Sequence, residues 1–160
     1  MKNDDANRSL GADSTTISED ETHGDSLPTG MPDRLALALA WSKDEPWRVG
    51  EIFFLPLEGE QAVWLGRGPT AAGGRPKGTF GQQRPGSWTP CTVIVTPAIS
   101  RYQVSFCRMG TTVVVHNEGK CSLLRNGVQT TDCQLTPGDL LQVGQQFLLL
   151  CCRRPERIPG

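Results

Sequence analysis

After a polar opening stretch the chain becomes a succession of short apolar runs separated by turn residues. Leu35 to Trp41 (LALALAW) alternates leucine with alanine. Leucine and alanine alone would also suit a helix, but the short run and the Pro46 that follows it favour a strand. Glu51 to Leu57 (EIFFLPL) and Gln61 to Gly66 (QAVWLG), separated by Glu58-Gly59-Glu60, predict a hairpin. From Arg67 to Pro90 the chain turns to Gly, Pro, Gln and Arg, which predicts a long loop. Loops of that length inside a compact domain are usually functional or disordered, so this one is a candidate binding loop.

Strands resume at Cys91 to Thr96 (CTVIVT) and Tyr102 to Arg108 (YQVSFCR). In the second run Tyr102, Val104 and Phe106 predict a buried face, and Gln103, Ser105 and Cys107 a wetter one. Met109-Gly110 turns into the β-branched Thr111 to His116, followed by an Asn117 to Lys120 loop and Cys121 to Arg125. Asn126-Gly127 is the clearest hairpin signal, because both residues tolerate the positive φ of a type I′ turn. Leu140 to Val143 and Phe147 to Cys152 close the chain as a hairpin around Gly144, and the residues after Arg153 are expected to fray. About ten short strands with no convincing helix predict an all-β sandwich or barrel.

Charge divides the chain. The first stretch carries Asp4, Asp5, Asp13, Glu19, Asp20, Glu21, Asp25 and Asp33 against Lys2 and Arg8, with few apolar residues. Such a composition cannot bury enough apolar surface to offset ordering, so residues 1–32 are expected to be a disordered acidic tail. Between Gln61 and Thr131 the only acid is Glu118, against Arg67, Arg75, Lys77, Arg84, Arg101, Arg108, Lys120 and Arg125. The overall charge of -1 therefore conceals a basic middle. No secretory signal or membrane-length apolar run is present, and a cytoplasmic protein is expected. In that compartment the six cysteines, without a Cys-x-x-Cys pair, read as reduced and mostly buried thiols. Metal binding or redox sensing by the vicinal Cys151-Cys152 pair is the lesser alternative.

The parts of an enzyme are missing from the pattern. His23 lies in the tail and His116 ends a strand, so no nucleophile-base-acid set assembles, and acids are nearly absent from the middle of the fold. The glycine-rich stretch Gly66 to Gly81 has neither a Gly-Lys-Ser/Thr ending nor a following helix. No catalysis, cofactor or metal is expected. What remains are anion-competent groups at strand ends: Gly66-Arg67, Ser100-Arg101 and Asn117 to Lys120. Loops at one end of a sandwich can converge, and arginine, serine and lysine together can hold a phosphate.

Val63-Trp64-Leu65-Gly66-Arg67, then Ile99-Ser100-Arg101-Tyr102-Gln103, then Asn126-Gly127, and finally Leu135-Thr136-Pro137-Gly138-Asp139-Leu140 occur in one order. In that order they resemble the forkhead-associated (FHA) domain. The resemblance runs over residues 33–154, leaving residues 155–160 as the frayed end. It implies a β-sandwich of about eleven strands whose apical loops recognise phosphothreonine peptides. It places Arg67 and Ser100 toward the phosphate with Arg101 beside them, and Lys120 and Cys121 in the peptide-facing loop. Gln103 stands where the family carries a histidine that braces the loops. Gly119-Lys120-Cys121 stands where the family carries a Ser-x-Asn-Gly whose asparagine grips the peptide.

Ser-Arg-x-Gln with a long proline-containing third loop resembles the N-terminal modules of bacterial enhancer-binding transcription activators. The expected function is phosphopeptide binding in bacterial signalling or transcription regulation. The expected partner is a phosphorylated protein, such as a component of a Ser/Thr kinase pathway or a transcription regulator; a membrane is not expected. The missing loop asparagine motivates a second reading, a degenerate FHA sandwich that acts as a phospho-independent interaction or intramolecular regulatory domain. Nucleic-acid binding, motivated by the basic middle with Phe80 and Trp88, ranks last because the bases are not interleaved with several aromatics. Phosphorylation of Thr15, Thr16 or Thr22 in the tail would offer a ligand in cis.

Overall fold

In a computed structural model, residues 32–160 are described. The acidic tail expected over residues 1–32, with its threonines, lies outside the described residues except for its last position. The expected all-β sandwich forms, among the described residues, as twelve strands in two sheets. The larger sheet holds β1 (Arg34–Ser42), β2 (Ile52–Phe54), β4 (Phe80–Arg84), β5 (Ser87–Pro90), β8 (Leu123–Arg125), β9 (Val128–Thr130), β11 (Leu140–Val143) and β12 (Phe147–Arg154). The smaller holds β3 (Val63–Leu65), β6 (Val104–Met109), β7 (Thr112–Asn117) and β10 (Asp132–Leu135). Their orders are β5-β4-β2-β1-β12-β11-β8-β9 and β10-β7-β6-β3, with all named pairs antiparallel. No helix among the described residues is long and apolar enough to cross a membrane.

β1 is flanked by β2 and β12, and its leucines Leu35, Leu37 and Leu39 point into the core. A register shift between Leu39 and Trp41 then inverts the side-chain parity. Trp41 is consequently exposed and Ser42 buried. Between the sheets Phe53 of β2 sits 5.2 Å from the Phe80 ring and 5.6 Å from Phe106 of β6, in tilted aromatic contacts that tie one sheet to the other. The Asn126-Gly127 turn forms as expected, with φ of 50° and 81°, joining β8 to β9.

Four local expectations are corrected. The segments around β2 and β3 do not form a hairpin: β2 pairs with β1 and β4, whereas β3 crosses to the other sheet and pairs with β6. The second half of the predicted Arg67 to Pro90 loop is the β4-β5 hairpin, stabilised because Phe80 packs on Phe53 and Trp88 lies 5.3 Å from Phe54. Cys91 to Thr96 is not a strand; Ile94 alone forms a bridge, to Arg67, because the chain is held there by side chains. Gln103 and Ser105, assigned to a wetter face, are buried.

The residues expected to fray are also held. Glu156 pairs with Arg34, Pro155 O accepts from Gln83 Nε2, and Gly86 N donates to Ile158 O at 2.8 Å.

All six cysteines are free thiols. Burial pushes the Cys151 thiol up to about 12, with the neighbouring Cys152 and Asp139 charges acting in the same direction. It therefore packs as a small hydrophobe.

Candidate functional site

At one rim of the sandwich the end of β3 meets the loop that precedes β6. Arg67 N donates to Ser100 O at 3.0 Å and Arg67 Nε to Ile99 O at 3.3 Å. This approach requires the preceding residue to lack a side chain: a Cβ on Gly66 would stand 2.0 Å from Arg101 O. The Gly-Arg pair is therefore a packing requirement followed by a charge.

A third segment, Asn117 to Cys121, joins the rim through Gln103, which is wholly buried. Gln103 N donates to Leu65 O at 3.0 Å, and Gln103 O accepts from the N–H groups of Glu118 and Gly119, both at 2.9 Å. Its carboxamide oxygen accepts from Ser100 N at 3.1 Å and Cys121 N at 3.4 Å, while its Nε2 donates to Asn117 Oδ1 at 2.8 Å and Cys121 O at 3.1 Å. Every polar site of the amide is used, so the side chain ties the loop before β6 to the segment after β7, while its backbone N–H holds the end of β3. Gly119 is moulded to it, since a Cβ there would stand 2.3 Å from Gln103 Oε1.

Ser100 is half-buried, and its hydroxyl oxygen accepts from Lys120 N at 2.9 Å. That contact occupies a lone pair and leaves the hydroxyl proton available to an acceptor. Arg67 and Arg101 line a cleft of about 380 Å³ together with Gly68, Pro69, Lys77 and Tyr102. Among the described residues no carboxylate pairs with Arg67, Lys77 or Arg101. Glu118, the lone acid of the basic middle, is already engaged by Arg75 at 2.7 Å and by Trp64 Nε1 at 3.1 Å.

Lys77 is one of the basic residues of the long loop without being a nominated site residue, and it is a member of the cleft. Its Nζ donates to Arg67 O and, at 3.1 Å, to Gly68 O, and it lies 4.9 Å from the Tyr102 ring centroid. Partial burial lowers its pKa from the ordinary lysine value, and the charges of Arg101 and Arg67 lower it further. An anion in the cleft would relieve that repulsion. The signal available in the sequence was a lysine two residues after Arg75 in a loop without acids.

Of the five nominated residues, Arg67 and Arg101 line the cleft, and Ser100 adjoins it through the bond that its carbonyl accepts from Arg67 N. Lys120 and Cys121 reach the same rim, but Lys120 Nζ donates to Pro97 O at 2.7 Å and Cys121 Sγ to Ala98 O at 2.8 Å. Those two side chains stitch the loops to each other.

Comparison with solved structures identifies the fold. The chain superposes on the Rv0020c FHA structure with a TM-score of 0.51 at 14% identity, covering 79% of this chain and 99% of that one. It superposes on the FHA domain of an Arabidopsis thaliana hypothetical protein with a TM-score of 0.50 at 17% identity, covering 86% and 97%. No family model and no curated protein matches the sequence. At these identities the likeness establishes the forkhead-associated sandwich and nothing finer.

Proposed function

We propose that the chain is a phosphopeptide-binding module of the phosphothreonine type that brings a phosphorylated protein into a bacterial signalling or transcription-regulating assembly, without catalysis of its own. The observation that carries this reading is the junction of Arg67 and Ser100, joined backbone to backbone at 3.0 Å beside Lys77 and Arg101, which no carboxylate among the described residues pairs. A phosphate in the cleft would accept from the Arg67 guanidinium and the Ser100 hydroxyl, with Arg101 and Lys77 balancing its charge. Charge-assisted bonds of this kind are about twice as strong as neutral ones. The partner class is a phosphorylated protein, such as a member of a Ser/Thr kinase pathway or a transcription regulator, encountered in the cytoplasm.

The test is fluorescence anisotropy with matched phosphothreonine and threonine peptides. Preference for the phosphorylated peptide is expected, and Arg67→Ala should weaken it about 10-fold or more, since a bond to a charged group contributes about 1.5–3 kcal/mol. Arg75→Ala, which removes the partner of Glu118, should leave it nearly unchanged. Equal binding of the two peptides would refute the reading.

A degenerate, phospho-independent module is favoured by one observation: Lys120 Nζ and Cys121 Sγ are each directed onto a backbone carbonyl, of Pro97 and Ala98. A pull-down after phosphatase treatment separates the two readings, since a partner set left undiminished would support this one.

A further inference from the structure

The two sheets are unequal, and the mismatch leaves a hollow. The larger sheet continues from β2 through β4 to β5, whereas the smaller one stops at β3. Beyond β3, among the described residues, two single bridges extend the cover, Trp64 to Lys77 and Arg67 to Ile94. Under this incomplete cover lies a cavity of about 180 Å³, whose apolar walls include Phe53, Leu65, Phe80, Val93 and Ile94. Apolar cavities of this order are large enough to take up a benzene-sized group.

The hollow has fixed walls. Gly78 lies so close to the Phe53 ring that a Cβ would stand 2.2 Å from its Cζ, and Gly78 N is bonded to Trp64 O at 3.0 Å. The opposite wall is held from within, because the buried Arg48 donates to Val93 O at 2.6 Å and to Thr92 Oγ1 at 3.2 Å. Val93 is nevertheless 45% exposed, so an apolar side chain stands at the mouth. The hollow also adjoins the cationic cleft: Gly68, Pro69 and Lys77 border both. An extended peptide advances about 3.3–3.6 Å per residue, so a ligand anchored in the cleft reaches the hollow within a few residues.

We propose that this hollow seats a bulky apolar side chain, of leucine or phenylalanine size, belonging to the same peptide whose phosphate enters the cleft. The module then reads a phosphate and a nearby apolar residue together, and the stretch from Arg67 to Ile94 is what builds the second subsite. The inference rests on the reading of the cleft as a phosphate site. Preformed walls spare the ligand the cost of ordering them, so burial of the side chain should appear in affinity. A leucine side chain moved from water into such a site corresponds to about tenfold tighter binding or more.

The test uses labelled peptides carrying one phosphothreonine in an alanine-serine background, with leucine placed in turn at each of about four positions on either side. They are titrated against the wild type, Val93→Trp and Thr79→Trp; both substituted residues are exposed and border the hollow. Unchanged thermal melting shows that a variant is folded, and two variants guard against the loss of one. Leucine at one position should tighten binding about tenfold, and the tryptophan variants should cancel that increase while binding the alanine peptide as the wild type does. No effect of leucine at any position, or an increase that survives both variants, overturns the inference and leaves the phosphate reading intact. If the alanine peptide binds no better phosphorylated than unphosphorylated, the phosphate reading falls and this inference falls with it.

Discussion

The wholly buried Gln103 donates through Nε2 to Asn117 Oδ1 at 2.8 Å, and through that bond the loop before β6 is tied to the end of β7. Asn117 Nδ2 passes the connection on to Cys121 O at 2.8 Å. The rim is thus organised by two amides.

Gln103→Glu keeps the shape of the side chain but removes both donors and places an acid among acceptors. It should destabilise the fold by about 2–4 kcal/mol, because Asn117 Oδ1 and Cys121 O lose their partner in a buried site. Urea denaturation measures this, and a loss below about 1 kcal/mol would show that the rim is held by other contacts.

Gly66→Ala tests the close approach of β3 to residues 100 and 101. The new methyl would meet backbone, Arg101 O at 2.0 Å and Ser100 O at 2.9 Å, rather than a yielding side chain. A cost of about 3 kcal/mol is expected, toward the upper end for overpacking, with loss of peptide binding as Arg67 separates from Ser100. Thermal melting and the anisotropy titration report the two effects separately.

These two sites show which parts of the molecule were legible in the sequence. Alternation in Leu35 to Trp41, β-branched density in Thr111 to His116 and the Asn126-Gly127 turn are local signals, and local physics decides them. The convergence of Arg67, Ser100 and Arg101 was legible only through the order of short motifs. What escaped depends on contacts between distant segments. Phe80 to Pro90 has too few apolar residues to read as a hairpin, yet aromatic packing on Phe53 and Phe54 makes it one. Gln103 and Ser105 look solvent-facing by alternation, but the loops close over one and β3 and β7 flank the other. The burial of Arg48, and with it the failure of Cys91 to Thr96 to form a strand, has no periodic signature at all.

The acid sensitivity of the fold should be traceable to Asp139. Burial alone would raise its carboxyl, but bonds from Thr136 N, Asn126 Nδ2, Arg125 Nε and the Thr136 hydroxyl outweigh it and hold the pKa at about 2, below the ordinary 3.8. Its folded pKa being depressed, its stabilisation is complete above about pH 4 and disappears as the pH falls through about 2. The shift corresponds to about 2 kcal/mol. Asp139→Asn should therefore be less stable than the wild type at neutral pH, with the gap closing in acid; a gap independent of pH would contradict this account.

Arg48 is the largest buried charge, 1% exposed, between Glu45 at 2.9 Å and Glu51 at 3.0 Å. Arg48→Met should cost about 3–5 kcal/mol by leaving two carboxylates unpaired, and replacing all three with apolar residues should recover most of it. Denaturant melts of the single and triple variants decide the matter: equal losses in the two would show that the ion cluster itself stabilises the fold.

If the rim formed by Arg67 and Ser100 receives a phosphate, as proposed, the amides around it must sense the ligand. Backbone amide resonances followed during titration with a phosphothreonine peptide test it most directly. Saturable shifts concentrated at residues 66–68, 77, 99–102 and 119–121, absent with the unphosphorylated peptide, are the predicted result. Shifts centred elsewhere on the sandwich, or the same shifts with both peptides, would contradict it.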